Sequence, residues 1–148
     1  MPPPSSPPII HIATALIFNG EGLTLLVRKK GSHFFMQAGG KIDAQETAAQ
    51  AVARELHEEL GITACLSETD FLGSFMAEAA NEPGHMIQAD VFQMVLSTPV
   101  AAQAEIAEVV WVDPAHPPVD KLAPLTRDTL MPLAKMLLQA SGIPTRHE

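Results

Sequence analysis

The sequence predicts an α/β fold in which a mixed β-sheet is flanked by helices. Two groups of aliphatic and β-branched runs, each bounded by turn residues, lie on either side of one long helix-favouring stretch. A second stretch near the C-terminus repeats leucine and alanine at helical spacing. The chain of 148 residues is 47% hydrophobic, with a slightly positive mean hydropathy of +0.14. Those values fit one domain with a real core. There is no internal repeat and no second composition regime, so residues 9–148 read as a single domain behind a tail at 1–8.

Residues Ile9–Phe18 are rich in β-branched and aliphatic types and predict a strand. Asn19–Gly20–Glu21–Gly22 is a strong turn signal, and Leu23–Arg28 reads as the second strand of a hairpin. Gly31 through Asp43, with Gly39–Gly40 inside it, reads as a loop. From about Glu46 to Leu60 the residues favour helix, with Gly61 as its C-terminal stop and a capping-box spacing at Asp43 and Glu46. Phe71–Glu78 and Met86–Leu96 predict strands separated by Asn81–Glu82–Pro83–Gly84, and Glu108–Val112 predicts another. Asp113–Pro124 is proline-rich and reads as irregular. Leu130, Leu133, Ala134 and Leu137 imply a closing helix, with Pro132 in its first turn or at a kink.

Composition also narrows the function. A net charge of −8 argues against general nucleic-acid binding through a basic face. The single cysteine, Cys65, excludes an internal disulfide framework and fits a reducing cytoplasm; its expected place is in the core. The N-terminus MPPPSSPPII lacks the basic and apolar regions of a signal peptide, and no segment reaches the ~20 apolar residues of a membrane span. The prolines and serines of Met1–Pro8 predict an extended, poorly ordered tail. A soluble cytoplasmic protein is expected, a monomer or homodimer.

The helix carries the chemistry. On a wheel of about 100° per residue, Ala49, Val52, Ala53, Leu56 and Leu60 share an apolar arc. Glu55, Glu58 and Glu59 share a neighbouring arc, with Arg54 at its edge and spaced to pair with Glu58. Three carboxylates this close repel unless protons or a cation neutralise them, and hard oxygen ligands suit Mg²⁺ or Mn²⁺. On the helix alone, a solvated acidic face explains the pattern equally well.

The surroundings decide between the two. Gly40 is followed after five residues by Glu46, then after seven by Arg54–Glu55–Leu56–His57–Glu58–Glu59–Leu60–Gly61–Ile62. This matches the pattern G-x5-E-x7-R-E-U-x-E-E-x-G-U, with U aliphatic, at every specified position. The chain thus resembles the Nudix hydrolases, over the box at residues 40–62 and by element order over about residues 9–140. The resemblance implies a Nudix-type α/β/α sandwich with a mixed β-sheet. One departure precedes the box: many relatives have Pro-Gly-Gly where this chain has Ala38–Gly39–Gly40, which should loosen the loop without removing a ligand.

Nudix enzymes cleave a nucleoside diphosphate linked to another group, using metal-activated water. The resemblance implies that Glu58 and Glu59 bind Mg²⁺ (or Mn²⁺), with Glu55 either a ligand or the water-activating base. It also implies that Arg54 orients the carboxylates, that the Gly40 carbonyl completes the coordination shell, and that Glu46 braces the loop or binds metal through water. A further acid joins from the loop before the last strand in MutT-type members. Glu105, six residues before Trp111, resembles that placement, with Glu108 as the alternative.

Arg28, Lys29, Lys30 and Lys41 flank the predicted loop and are candidate phosphate ligands. Phe34 and Phe35 are candidates for stacking on a base, with core packing as the competing reading. The six histidines have no zinc-ligand spacing, and His57 occupies an unspecified box position. The expected function is that of a MutT-like (deoxy)nucleoside triphosphate diphosphatase releasing nucleoside monophosphate and pyrophosphate. The alternatives are an ADP-ribose or other nucleotide-sugar diphosphatase, or a Nudix module that senses nucleotides without turnover. Markers of other subgroups are missing: Glu78 stands where the ADP-ribose group often has proline, and the chain has no tyrosine.

Overall fold

The computed structural model describes residues 7–141, so most of the predicted N-terminal tail lies outside the described residues. Pro8, placed in that tail by the sequence, already accepts a hydrogen bond from the Met86 N–H at 2.9 Å. Seven strands and two helices follow: β1 (Ile9–Phe18), β2 (Thr24–Lys29), β3 (Phe35–Met36), β4 (Ala38–Lys41), α1 (Ala48–Leu60), β5 (Phe71–Glu78), β6 (Met86–Val95), β7 (Ile106–Val112) and α2 (Met131–Ser141).

The sheet is mixed, as expected. β1 runs parallel to β6 along its whole length, and every other pairing is antiparallel. Along its middle, Ile12 to Ala15, β1 pairs with β4, and at its end it meets β2 at Phe18↔Thr24. β2 in turn carries β3 and β7, while β6 carries β5.

The two-residue period of β1 sorts the core into two layers. Ala13, Ala15 and Ile17 face one way and pack with Val52, Leu56 and Leu60 of α1. Leu16 and Phe18 face the other way, with Ala134 and Leu138 of α2. A smaller cluster of Leu26, Leu122 and Met131 closes one end. The result is an α/β/α sandwich. Among the described residues, no helix is long and apolar enough to cross a membrane.

Several expectations change in detail. The stretch Gly31–Asp43 is not all loop, since it holds β3 and β4. Glycine has low strand propensity, which hid β4 from a sequence reading. Here it serves close approach: a Cβ on Gly39, at φ +150°, would lie 2.2 Å from the Ala13 carbonyl of β1. At the departure from Pro-Gly-Gly, the Ala38 carbonyl is held by the buried Thr14 hydroxyl at 2.6 Å, a tie independent of proline. The helix starts two residues later than expected, and its capping box is Thr47 with Gln50 instead of Asp43 with Glu46. Gly61 closes it in the left-handed conformation, as expected.

Cys65 is exposed, not in the core, because residues 61–67 run as irregular chain across the surface. Near the C-terminus a π-helical turn, Thr126–Leu130, leads into α2. Met131 N–H bonds back five residues to Thr126, a wider turn than an α-helix. It accommodates Pro132, which has no N–H to give and whose ring crowds the preceding turn.

Candidate active site

The inward side of α1 places Glu59 where an apolar residue would be expected. Its side chain belongs to the buried face with Ala51, Val52, Leu56 and Leu60. Its carboxylate accepts a hydrogen bond from the Gly39 N–H at 2.9 Å, tying the helix to β4. Burial pushes the Glu59 carboxyl up to about 7 despite that bond and the Lys29 charge, and the Glu55 and Glu58 charges add to the rise. An anion held in low dielectric beside two like charges is stabilised by a nearby cation.

Arg54 organises the outer side. Its guanidinium grips Glu46 with two nitrogens, at 2.7 and 2.9 Å, and donates to Glu55 at 2.8 Å. A further bond reaches the Lys41 carbonyl at 3.1 Å, so loop, strand and helix meet on one side chain. That pairing holds Glu46 down to about 2 and pushes the Arg54 guanidinium above its ordinary value. Glu58 stands farther out, 3.6 Å from Arg54, with half its side chain exposed. The Glu55 carboxyl lies against Gly40, where an added Cβ would come within 2.5 Å of it.

The box residues therefore gather, but their carboxylates do not yet converge. Among the described residues, no three acidic, histidine or cysteine side chains form a ready metal-holding group. Arg54 holds Glu55 at 2.8 Å, the Gly39 N–H holds Glu59 at 2.9 Å, and Glu58 is half exposed at 3.6 Å from Arg54. The donor set still fits a hard divalent cation, because every donor is a carboxylate or carbonyl oxygen. Gly40, with no side chain, lets the Glu55 carboxyl pack directly against the backbone there.

The other predicted residues separate into two groups. Lys41 and Lys29 line a cavity of about 120 Å³ that opens beside Gly39 and Gly40. Arg28 does not, being paired with Glu108 across β2 and β7 at 2.6 Å. That pair also occupies the alternative acid, Glu108. Lys30 is exposed, and its N–H bonds the Glu105 carbonyl at 2.8 Å. Glu105 is exposed at the start of β7, two residues from Gln103, whose N–H caps the Glu59 carbonyl at 2.9 Å. Phe35 packs on the cluster of Leu26, Leu122 and Met131 and does not line the cavity; Phe34 does not line it either.

Sequence reasoning missed the far wall of that cavity. Gln37 and Thr126 lie there, with Glu78 at the end of β5 and Asn81 and Glu82 from the β5–β6 connection. Asn81 also accepts from the buried Ser32 hydroxyl at 3.0 Å, which ties the β5–β6 connection to the loop after β2. One signal was available: Gln37 is a lone polar residue in the run Phe34–Ala38.

Fold and site define a class of protein: an α/β/α sandwich presenting a carboxylate-bearing helix beside a glycine strand. The family model for the NUDIX domain matches residues 10–133, and the chain belongs to the Nudix hydrolase family. Over 64 residues it is 42% identical to an 8-oxo-dGTP diphosphatase of Haemophilus influenzae, covering 40% of this chain and 47% of that one. Over 107 residues it is 36% identical to an uncharacterized Nudix hydrolase of Pseudomonas aeruginosa, covering 67% of this chain and 60% of the other. These matches span roughly half of the relatives' own length. A MutT protein from Methanosarcina mazei has a similar structure, with a TM-score of 0.73 at 26% identity, over 90% of this chain and 97% of that one.

Proposed function

We propose that this chain is a Mg²⁺-dependent, MutT-like diphosphatase of (deoxy)nucleoside triphosphates that releases nucleoside monophosphate and pyrophosphate. The observation that carries the reading is the buried Glu59 carboxylate, fixed by Gly39 and crowded by the charges of Glu55 and Glu58. Glu58, Glu59 and the Gly40 carbonyl would hold the metal, with Glu105 as a further acid. A divalent cation there would offset phosphate charge and lower the pKa of bound water.

The chain's own residues do the rest. Arg54, anchored on Glu46, sets the position of Glu55, which serves as a further ligand or takes the proton of the attacking water. Lys41 and Lys29, on the cavity wall beside the glycines, bind phosphate oxygens. The diphosphatase name of the Haemophilus relative supports a triphosphate substrate. A nucleotide hydrolysis screen with Mg²⁺, reading pyrophosphate separately from phosphate, tests the proposal. Pyrophosphate from a nucleoside triphosphate is the expected product. Stepwise release of single phosphates would refute the diphosphatase chemistry, and cleavage confined to ADP-ribose or a nucleotide sugar would overturn the substrate class. Nucleotide binding without turnover would leave only a sensing module.

A further inference from the structure

The loop before β7 holds Ala104, the one non-glycine residue among the described residues with a left-handed backbone, at φ +53°. An L-residue there crowds its Cβ against a carbonyl oxygen, and glycine or asparagine is the usual occupant. Such a conformation persists only where the surrounding structure enforces it. Here it is enforced on both sides. The Ile106 N–H closes a turn onto the Gln103 carbonyl at 3.0 Å, with Ala104 and Glu105 at its corner. The Gln103 N–H bonds the Glu59 carbonyl at 2.9 Å. The Gln103 side chain lies against Gly61, where an added Cβ would come within 2.3 Å of it. Beyond the corner, the Glu105 carbonyl accepts from the Lys30 N–H at 2.8 Å, and Ile106 is buried in the core with Leu56 and Leu60 of α1.

The strand that follows is irregular at the same point. Arg28 pairs with Glu108 and Lys29 with Ile106, so β7 carries one extra residue, Ala107, against β2. Bulges of this kind redirect side chains and gather beside functional sites, as enforced backbone outliers do. The residue that turn and bulge bracket is Glu105. It is exposed, and among the described residues its carboxylate has no hydrogen bond or ion pair. Glu108, by contrast, is held by Arg28. An unpaired surface carboxylate adds no stability that would offset the cost of the left-handed backbone.

We propose that the Gln103–Ile106 turn is the device that positions Glu105 at the carboxylate end of α1, with left-handed Ala104 as the positioning residue. The bond from Gln103 to the Glu59 carbonyl makes the loop and the end of the helix one unit. The main chain of Glu105 is thereby fixed in advance, which lessens the freedom its carboxylate would lose on joining a divalent cation. Ala104 acts only through Glu105. This inference rests on the role given to Glu105 under the proposed function.

The test uses the full chain and three changes graded by tolerance of the left-handed backbone: Ala104→Gly, Ala104→Asn and Ala104→Val. One readout is Mn²⁺ affinity without nucleotide, from the EPR signal of free Mn²⁺. The other is kcat and KM for a nucleoside triphosphate at saturating Mg²⁺. Ala104→Gly and Ala104→Asn should stay within about threefold of wild type in both, since each accepts the conformation. Ala104→Val does not accept it, and should weaken Mn²⁺ binding and lower kcat by about tenfold, with KM within about threefold. Position 104 faces solvent, so the valine variant should fold, and its melting temperature checks that. In a Glu105→Gln background the valine change should add less than about twofold, because the carboxylate it acts through is gone.

Wild-type behaviour of Ala104→Val would overturn the inference. So would an equal loss in Ala104→Gly, or an undiminished valine effect beside Glu105→Gln. Unchanged Mn²⁺ affinity and kcat in Glu105→Gln alone would also overturn it, and would leave the proposed reaction standing without that acid. If no triphosphate is cleaved but the Mn²⁺ affinities follow the stated order, the turn keeps its role and the proposed reaction falls.

Discussion

Gly39 and Gly40 are adjacent and lack side chains for different reasons. A Cβ on Gly39 meets rigid backbone, 2.2 Å from the Ala13 carbonyl, at a φ that L-residues rarely adopt. Gly39→Ala should therefore cost about 3 kcal/mol or more of stability, visible as a lower urea midpoint. A Cβ on Gly40 meets the far end of the Glu55 side chain, which can swing aside. Gly40→Ala should keep its urea midpoint within about 1 kcal/mol and lose most of its turnover. The reverse pattern would show that Gly40 is only structural. Glu58 is the exposed member of the carboxylate set, so the fold does not depend on it. Glu58→Gln should retain the wild-type melting temperature and lower turnover by roughly 100-fold or more. Activity within a few-fold of wild type, at both saturating and limiting Mg²⁺, would remove it from the metal site.

Among the elements, α1 is the one whose ends matter most, because a shift of one residue would rotate Glu59 out of the core. Thr47 accepts from the Gln50 N–H at 3.1 Å, and the Gln50 side chain accepts from the Thr47 N–H at 2.9 Å. At the other end Gly61 returns its N–H to His57. Thr47→Ala should cost about 1 kcal/mol by chemical denaturation. Asp43→Ala removes only an exposed contact to Arg54 at 3.5 Å, and should cost less than about 0.5 kcal/mol. The opposite order would return the cap to Asp43. That residue has the right spacing, and Glu46 does bond its N–H, but Arg54 claims both oxygens of Glu46 and leaves the pair as a turn before the helix. Sequence spacing shows which residues can cap; the long-range arginine settles which ones do.

Across the whole molecule, the parallel pairing of β1 with β6 sets α1 on one face and α2 on the other, and β4 crosses beneath α1 at the site. A substrate held by Lys29 and Lys41, and by a divalent cation that the α1 carboxylates would hold, would be attacked by water at one phosphorus, in line with its leaving oxygen. Under the proposed reaction that phosphorus carries the nucleoside. Hydrolysis of a triphosphate in ¹⁸O-water should therefore place the label in the nucleoside monophosphate. Label in the pyrophosphate would move the attack to the next phosphorus and overturn the assignment.

Much of this was legible from residue order. Strand and helix periodicities, the Asn19–Gly22 turn, the Gly61 stop and the spacing from Gly40 to Ile62 are local properties, written in neighbouring residues. They sufficed for the mixed sheet and for the carboxylate helix. What escaped depends on partners far away in the chain. The strand β4 exists because its glycines press on β1, and Cys65 is exposed because its segment crosses the surface. Arg28 is bound by Glu108 eighty positions on, and Gln37 is bonded to Thr126 eighty-nine positions on. Such pairings are decided by which surfaces the folded sheet brings together, and no local pattern of residues encodes them.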